Sequence, residues 1–412
     1  MVYEVEQDPF TLNGFPLGVN NIQPDTALDP SALRNSSNID LYDDGKVRRR
    51  KGHTLIAALV GAHSLWSDTR NMRPSEAFYA AGTTMYRLTE NAGIFTSTAI
   101  VTGLAAGRKI AFDALNGETF WSNGVATGRI RSGVNTPWGI ETPNRLPSLT
   151  ASAGGGLFAG RYQVALTYRN AAGEEGACDN AQAVDVATNG KIVLTSMPTP
   201  LDASVTSICV YATAANGDVL HRIATIPSNA STHTISTVSN AGAVLKTQYD
   251  NMPAGNILEH LNGVMYVASG SIVYHSLPMR YGLCDLTQNF YMFPADVSVM
   301  LAVADGLFVC ADKTYFLSAP GTPEVRQAEI LSFGAVSGTG TRMLNSQDVV
   351  WFSPRGQVIG SAGGQVKLVT EAAYMPGVMS SGASLVREKQ GLKQIINTIQ
   401  QTDTSALEFT GG

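Results

Sequence analysis

The sequence predicts an all-β protein with a β-propeller-like domain of five to six blades and an inserted β-sandwich. Three observations support this fold class: strand–turn–strand segments recur, equivalent turns lie 42 or 43 residues apart, and one gap interrupts that spacing. The composition, with 41 glycines and 18 prolines among 412 residues, suits a chain with many turns. A chain of this length can hold two or three domains, each with its own core.

The segment from residue 257 to 276 shows the repeating unit most clearly. Asn262-Gly263 predicts a tight turn because both residue types accept positive φ, and Ser269-Gly270 predicts a second turn. Between these turns, residues 264–268 are apolar, β-branched or aromatic, which favours a strand. We therefore predict three consecutive antiparallel strands in this segment.

The same pattern recurs along the chain at a fixed spacing. Leu115-Asn116-Gly117 matches Leu261-Asn262-Gly263 position for position, and a strand and a second turn follow each. The second turns of the repeats fall at Gly82, Gly124, Gly270, Lys313 and Gly356. A period of about 40–45 residues with about four strands per unit is typical of propeller blades. A run of hairpins in an ordinary sandwich also gives turns, but at a spacing of about 8–12 residues and without this register.

One interval is longer than the period and predicts an inserted domain. Gly124 and Gly270 are 146 residues apart, which is about 104 residues more than one repeat requires. Prolines and a triple glycine at residues 154–156 indicate a linker into this insert. Residues 162–168 then alternate large apolar and smaller side chains, as in a half-buried strand. We predict an immunoglobulin- or fibronectin-III-like sandwich.

The predicted domain order has four parts: an amino-terminal arm with a short helix (1–36), the first part of the propeller (37–142), the insert (143–250), and the second part of the propeller with a closing segment (251–412). Asp29 as N-cap and Pro30 at the first position predict the short helix. The apolar residues of the tail have helical spacing, yet Lys389-Gln390-Gly391 is typical of a turn. We favour a hairpin that completes a sixth unit against the amino-terminal strand.

Composition and charge exclude several classes of protein. The net charge of −5 disfavours a generic nucleic-acid binder, which carries a basic face or a high pI. The first ten residues are acidic and lack an apolar core, so we expect no signal peptide and a soluble protein made in a cytoplasm. The four cysteines form no metal-binding motif, and we expect Cys209 and Cys310 to be buried small apolar residues.

A basic run in the amino-terminal region provides the candidate contact residues. An Asp-Gly turn at Asp44-Gly45 predicts a hairpin that places Asp40 and its acidic neighbours opposite the basic run. We favour ion pairing within the chain or between subunits over direct contact with nucleic acid, because alternate strand residues face opposite sides. The candidate assembly contacts are Arg48, Arg49, Arg50, Lys51, Asp43 and Asp44.

The sequence contains no catalytic motif that we recognise. It has no nucleophile elbow, phosphate-binding loop or dinucleotide fingerprint, so we predict a protein that is not an enzyme and that holds no cofactor or metal. We expect Glu174 and Glu175 to be solvated in an exposed turn. The six histidines are scattered singly, and we expect His221 and His275 to be satisfied polar residues in strands.

Several segments of the chain resemble one phage family. The segments are residues 18–21 (GVNN), 44–52 (DGKVRRRKG), 159–162 (AGRY), 252–255 (MPAG) and 276–282 (SLPMRYG). Together they resemble the tail hub or nozzle proteins of short-tailed bacteriophages, which are also described as packaged-DNA stabilisation proteins. The resemblance spans residues 14–391, and its motifs are structural rather than catalytic.

The resemblance implies a structural virion protein in the phage tail. Such a protein forms a ring of six subunits below the portal and its adaptor (head–tail connector) ring. The ring continues the channel for double-stranded DNA, helps retain the packaged genome until ejection, and carries fibres, spikes or a needle. A mildly acidic chain suits this role, because a basic lumen would bind the duplex rather than let it slide.

Two other functions remain open at this level. A carbohydrate-binding propeller that acts as a receptor-binding protein could use exposed tryptophans among Trp66, Trp121, Trp138 and Trp351, although Trp121 and Trp351 occupy strand positions that predict a blade core. A glycan-cleaving tail enzyme would need a pair of carboxylates that the sequence does not locate.

Overall fold

The protein is all-β in the part of the chain that the structure describes. This computed structural model describes residues 14–42, 44–50, 60–68, 76–389 and 392–402. Within these residues the strands form small antiparallel sheets, and the helical segments are two single 3-10 turns, Asp25–Ala27 and Ala362–Gly364. The predicted all-β class is therefore confirmed.

The strands follow one another closely along the chain. The strands before the insert are β1 (Ile39–Leu41), β2 (Val47–Arg49), β3 (Ala62–Ser67), β4 (Glu76–Ala81), β5 (Thr84–Asn91), β6 (Ile94–Val101), β7 (Ala111–Leu115), β8 (Glu118–Ser122), β9 (Thr127–Arg131) and β10 (Val134–Thr136). Those of the insert are β11 (Ser148–Leu157), β12 (Gly160–Asn170), β13 (Glu175–Cys178), β14 (Gln182–Val186), β15 (Gly190–Thr195), β16 (Val205–Ala212), β17 (His221–Pro227) and β18 (His233–Ile235). The remaining strands are β19 (Tyr249–Asn251), β20 (Ile257–Leu261), β21 (Val264–Ser269), β22 (Ile272–His275), β23 (Leu283–Asp285), β24 (Phe290–Met292), β25 (Val299–Val303), β26 (Gly306–Cys310), β27 (Thr314–Ser318), β28 (Arg326–Leu331), β29 (Thr341–Arg342), β30 (Val349–Ser353), β31 (Gly356–Ser361), β32 (Gln365–Leu368), β33 (Met379–Lys389) and β34 (Leu392–Gln401).

The chain divides into two compact units. One unit is residues 60–293, and the other combines residues up to 59 with residues from 294 onwards. The first unit contains three four-stranded sheets, which we name sheet A (β3-β4-β5-β6), sheet B (β7-β8-β9-β10) and sheet C (β20-β21-β22-β24). The second contains sheet D (β25-β26-β27-β28) and sheet E (β29-β30-β31-β32).

The predicted register of the repeats is confirmed. The five second turns, at Gly82, Gly124, Gly270, Lys313 and Gly356, all lie at the connection between the second and third strands of sheets A to E. The Asn-Gly turns adopt the backbone that the sequence predicts: φ is +53° and +80° at Asn116 and Gly117, and +51° and +73° at Asn262 and Gly263. Positive φ at both central residues matches the twist of the flanking strands and so closes a tight hairpin.

Sheets A, B and C pack on one another through buried aromatic and aliphatic side chains. Phe78 and Met85 of sheet A pack with Phe112 and Trp121 of sheet B in one cluster. A second cluster joins Phe120 of sheet B to residues of sheet C, such as Met265 and Val267. Each of these sheets thus buries its apolar side chains against a neighbouring sheet, which is what stabilises a small antiparallel sheet in water.

The insert consists of two sheets around one core. Strands β11, β15 and β18 form one sheet, and β13, β12, β16 and β17 form the other, with β14 also paired to β12. Ile192 and Leu194 of the first sheet and Tyr168 and Ile208 of the second belong to the same buried cluster. The segment between sheets B and C therefore contains two sheets that share a core.

One prediction for the insert is wrong. We predicted that strand β12 is half-buried, but Ala165 and Thr167 are buried on its other face as well. A second small cluster covers that face, where Ala165 packs with Tyr211, Leu220 and Leu245. The segment around Leu245 follows strand β17 in the sequence and hydrogen-bonds to Leu220. This connecting segment, rather than solvent, therefore covers the second face of β12.

In the second unit, sheets D and E share a core. Phe308 and Phe316 of sheet D pack with Trp351 and Val358 of sheet E, and the rings of Phe308 and Trp351 are 5.2 Å apart. Cys310 is buried in this cluster, as predicted, and Cys209 is buried in the insert; all four cysteines are free thiols.

The predicted amino-terminal helix is wrong. Residues 30 and 31 form a turn, in which the Asp29 carboxylate accepts hydrogen bonds from the backbone N–H and the hydroxyl of Ser31. The side chain that was expected to cap a helix therefore closes an Asx turn, a common competitor of helix N-caps. The nearby 3-10 turn at Asp25–Ala27 begins four residues earlier.

The two terminal hairpins form as predicted but do not share a sheet. Strands β1 and β2 pair in one two-stranded sheet, and β33 and β34 pair in another. The predicted sixth unit, with the tail hairpin against the amino-terminal strand, is therefore not present among the described residues. The amino-terminal arm instead meets the tail through Asn21, whose side chain exchanges hydrogen bonds with the backbone of Met375.

The insert offers a matched pair of leucines to test its core. We expect Leu194→Ala to lower the free energy of opening of the insert by about 2–5 kcal/mol, because the fully buried side chain leaves a cavity. Leu201→Ala, at a position that is 84% exposed, should change it by less than about 0.5 kcal/mol. Hydrogen exchange of peptides that cover β15 measures both; equal effects would mean that the two sheets do not share the core described here.

Candidate functional site

The predicted contact residues lie on the hairpin of β1 and β2. Asp40 and Arg48 are directly opposite each other, and the turn contains Gly45 with φ of +76°. Lys51 and Asp43 lie outside the described residues. Arg48 and Arg49 are exposed on neighbouring positions of β2, so their side chains project from opposite faces of the hairpin.

Ion pairs within this hairpin neutralise part of its positive charge. The Arg50 Nε and the Asp40 Oδ1 are 3.3 Å apart, and the Lys46 Nζ and the Asp44 Oδ2 are 2.8 Å apart. The hydrogen bonds from Lys46 lower the pKa of Asp44 below its ordinary value. The Arg48 guanidinium lies over the Tyr42 ring, 4.7 Å from its centroid. The predicted pairing of acidic and basic residues within the hairpin is therefore observed, and its use in assembly stays a prediction.

A cluster that the sequence analysis missed lies between sheets B and C. Asp113 on β7 and Glu259 and His260 on β20 bring one donor atom each to within 4.8 Å of one another. Both carboxylate residues are buried, at 5% and 4% exposure, and His260 is partly buried. Strands β7 and β20 are the first strands of their sheets and lie side by side.

Hydrogen bonds orient the three side chains. The His260 Nδ1 is 2.8 Å from the Asp113 Oδ2. The other Asp113 oxygen accepts the backbone N–H of Ala114 at 2.9 Å, and Glu259 Oε1 accepts the backbone N–H of His260 at 3.2 Å. An imidazole and two carboxylates held in this way can bind a proton, a cationic side chain or a metal ion.

The repeat register contained a signal for this cluster. Asp113 precedes the turn residue Asn116 by three positions, and Glu259 precedes Asn262 by the same number. Carboxylates therefore occupy equivalent positions of consecutive repeats. Glu259 and His260 are adjacent on β20, and alternation along a strand sends adjacent side chains to opposite faces, so strand periodicity alone does not indicate that they share a cluster.

The paired glutamates of the insert have different environments. Glu174 is half-exposed, and its carboxylate accepts hydrogen bonds from Arg129 of sheet B at 3.3 and 3.1 Å. Glu175 is only 17% exposed, and Thr167 and Tyr211 donate hydrogen bonds to it at 2.5 and 2.6 Å. The prediction that both are solvated is therefore wrong for Glu175, because β13 turns it onto the covered face of β12 and β16.

Burial and this network change the proton affinities of the neighbouring groups. Burial and the hydrogen bond to Glu175 raise the pKa of Tyr211 far above its ordinary value. Burial also raises the pKa of the Cys209 thiol, which keeps it protonated and unreactive at neutral pH. Arg222, 3.5 Å from the Glu175 carboxylate, supplies a positive charge. All members of this network belong to the insert, so it stabilises the insert itself rather than its attachment to the other sheets.

Polar contacts join the insert to sheets B and C. Besides the pair of Arg129 and Glu174, the Arg280 guanidinium donates to the carbonyl oxygen of Glu175 at 3.2 Å. Ile140, which precedes the insert, is part of its hydrophobic core. The insert is thus attached to its unit by apolar packing and by charge-assisted hydrogen bonds.

The tryptophans that could have stacked on sugars do not form an exposed aromatic surface. Trp121, Trp138 and Trp351 are buried, as predicted for the first and the last of these. Trp66 is partly buried and stacks on Phe112 at 5.5 Å. His275 is a satisfied polar residue of strand β22, as predicted: it is buried, and its Nδ1 lies 3.2 Å from the carbonyl oxygen of Ser276.

No family model and no curated protein sequence matches the chain. Among solved structures, the chain is similar to apo AztD from Citrobacter koseri, with a TM-score of 0.27, 10% identity, and coverage of 74% of this chain and 84% of AztD. It is also similar to KlHsv2 with loop 6CD replaced by a Gly-Ser linker, with a TM-score of 0.27, 5% identity, and coverage of 79% and 94%. These similarities are too distant to inform the function. The helical segments that the structure describes include none able to cross a membrane.

The ion pair of Arg129 and Glu174 should stabilise the attachment of the insert in a pH-dependent way. Burial raises the pKa of Glu174, but the hydrogen bond and charge of Arg129 outweigh it, so the pKa lies below its ordinary value. The stabilisation is therefore present above the ordinary pKa of a glutamate and is lost as the pH falls through the lower folded-state value.

A double-mutant cycle with Arg129→Ala and Glu174→Ala measures this pair. We expect a coupling energy of about 0.5–1 kcal/mol at pH 7, since Glu174 is half-exposed, and a smaller coupling at pH 3. A coupling that does not change between these pH values would contradict the ionic contribution. Asn170→Ala removes another hydrogen bond to Glu174 without removing a charge. It is the control for effects that come from a changed turn conformation rather than from the ion pair.

Proposed function

We propose that this protein is a structural component of the tail of a short-tailed bacteriophage, the nozzle or hub ring below the portal and adaptor. In this proposal the five four-stranded sheets belong to a β-propeller-like fold of five to six blades, and the insert is an immunoglobulin- or fibronectin-III-like sandwich. The main support is one observation: sheets with a constant register are interrupted once, between sheets B and C, by a compact two-sheet module. The resemblance of the sequence implies the same organisation.

The nature of the exposed groups supports an assembly role. The strands of the basic hairpin pair with each other, and its ion pairs and the packing of Arg48 on Tyr42 also form within the chain, so the hairpin is present without a partner. Arg49 remains exposed on it. A preformed hairpin with cationic side chains loses little conformational entropy when acidic groups of a neighbouring subunit bind to it.

The other partners follow from the same proposal. Six copies of the chain form the ring, the adaptor ring binds above it, and fibres, spikes or a needle attach below. Duplex DNA passes through the lumen without sequence-specific contacts, in keeping with a net charge of −5 on each chain. The ring assembles in the bacterial cytoplasm and functions in the virion, where it retains the genome until ejection.

The mass of the purified protein, alone and with its portal–adaptor complex, tests this proposal. We expect a six-membered ring with an open centre in negative-stain images, either for the free protein or once the adaptor is present. A monomer or trimer that does not bind the adaptor would contradict the nozzle. Binding of that species to isolated host polysaccharide would favour the receptor-binding alternative, and release of reducing ends would favour a glycan-cleaving enzyme.

The basic hairpin provides a second test. We expect the triple variant Arg48→Ala, Arg49→Ala and Arg50→Ala to fold normally, because exposed ion pairs contribute at most about 1 kcal/mol each, and to assemble less efficiently. Particle incorporation and ring formation at equal protein concentration measure the effect. The matched control removes the same charge at three exposed positions elsewhere, Arg108→Ala, Lys109→Ala and Arg161→Ala. Unimpaired incorporation of the hairpin variant would contradict the assigned role.

A further inference from the structure

The geometry points to a divalent transition-metal site formed by Asp113, Glu259 and His260 between sheets B and C. The site is independent of the proposed tail function. Its basis is the convergence of one imidazole and two carboxylates, with one donor atom from each residue within 4.8 Å of the other two. The residues come from two different strands, so the fold rather than a local sequence motif brings them together.

The distances suit a metal ion after a small adjustment. Nitrogen and oxygen ligands bind zinc at about 2.0–2.2 Å, so neighbouring ligands of a tetrahedral site are about 3.4 Å apart. The His260 Nδ1 and the Asp113 Oδ2, at 2.8 Å, would move apart slightly, and the most distant donors would move closer together.

The donor types narrow the choice of metal. Calcium and magnesium prefer sites made of oxygen ligands alone, whereas an imidazole nitrogen favours zinc and its first-row neighbours. Three protein ligands leave one position of a tetrahedral site for water. The hydrogen bonds from backbone N–H groups to Asp113 and Glu259 hold the carboxylates in place, as outer-shell contacts do in metal sites.

A metal at this position would link two strands that are far apart in sequence. Asp113 is separated from Glu259 by the whole insert, so the ion would close a loop of 146 residues. It would therefore stabilise the junction of sheets B and C at the place where the insert interrupts the repeat.

Metal binding by the full-length protein tests the inference. The protein is freed of metal with a chelator, and Zn²⁺ is titrated by calorimetry while Co²⁺ is followed by its visible absorption. We expect one ion per chain and a Co²⁺ spectrum of a four- or five-coordinate site with nitrogen and oxygen ligands. We expect the temperature of unfolding to rise with Zn²⁺, since the ion binds only the folded site.

Matched histidine variants assign the site. His260→Asn should weaken Zn²⁺ binding at least about 100-fold, since even outer-shell changes cost about 10–100-fold. His233→Asn, on β18 of the insert, should leave the affinity unchanged. Equal affinities in these two variants, or a wild-type protein that binds neither Zn²⁺ nor Co²⁺, would overturn the inference and leave the cluster as a hydrogen-bonded contact of β7 and β20. If His260→Asn does not fold, the same comparison is made with Glu259→Gln, and the wild-type Co²⁺ spectrum decides the outcome by itself.

Discussion

The burial of sheet faces is the constraint on which this structure depends. A four-stranded antiparallel sheet of short strands is stable only if its apolar faces are covered, and the residues that cover them come from neighbouring sheets. Phe112 and Trp121 of sheet B face sheet A, while Phe120 faces sheet C. Alternation along each strand sends successive side chains to opposite faces, so one sheet can contribute to two cores.

This arrangement accounts for how the chain accommodates a module of more than 100 residues. The insert begins after sheet B and ends before sheet C, and the two sheets still pack together. Its core is shared by its two sheets, and its contacts with the rest of the unit include Ile140, the pair of Arg129 and Glu174, and the bond from Arg280. A module attached in this way can vary without disturbing the repeats, which suits a surface that carries other tail components in the proposed function.

Charged groups have distinct roles at the surface and in the interior. On the hairpin of β1 and β2 the cations are solvated, and water and salt keep each ion pair weak, so the same groups stay available to a partner. In the cluster of Asp113, Glu259 and His260, burial makes every charge costly unless another charge or a proton balances it. The first arrangement fits the proposed contact between subunits, and the second fits the proposed metal site.

The sequence by itself determined the all-β class, the register of the repeats and the burial of Trp121 and Trp351, because these follow from local turn chemistry and strand alternation. The Asn-Gly pairs at residues 116–117 and 262–263 specify tight turns, and a fixed interval between turns indicates equivalent sheets. Only the tertiary structure decided which polar residues lie together. Glu175 is covered by β12 and β16, and the cluster of Asp113 and Glu259 forms because β7 and β20 are neighbours across an interval of 146 residues. The Asp29 carboxylate can accept backbone N–H groups either in a turn or at the start of a helix, so its sequence position does not distinguish the two. In the structure it closes a turn. Turn chemistry and strand alternation do not specify which strands become neighbours, which is why these features depend on the fold.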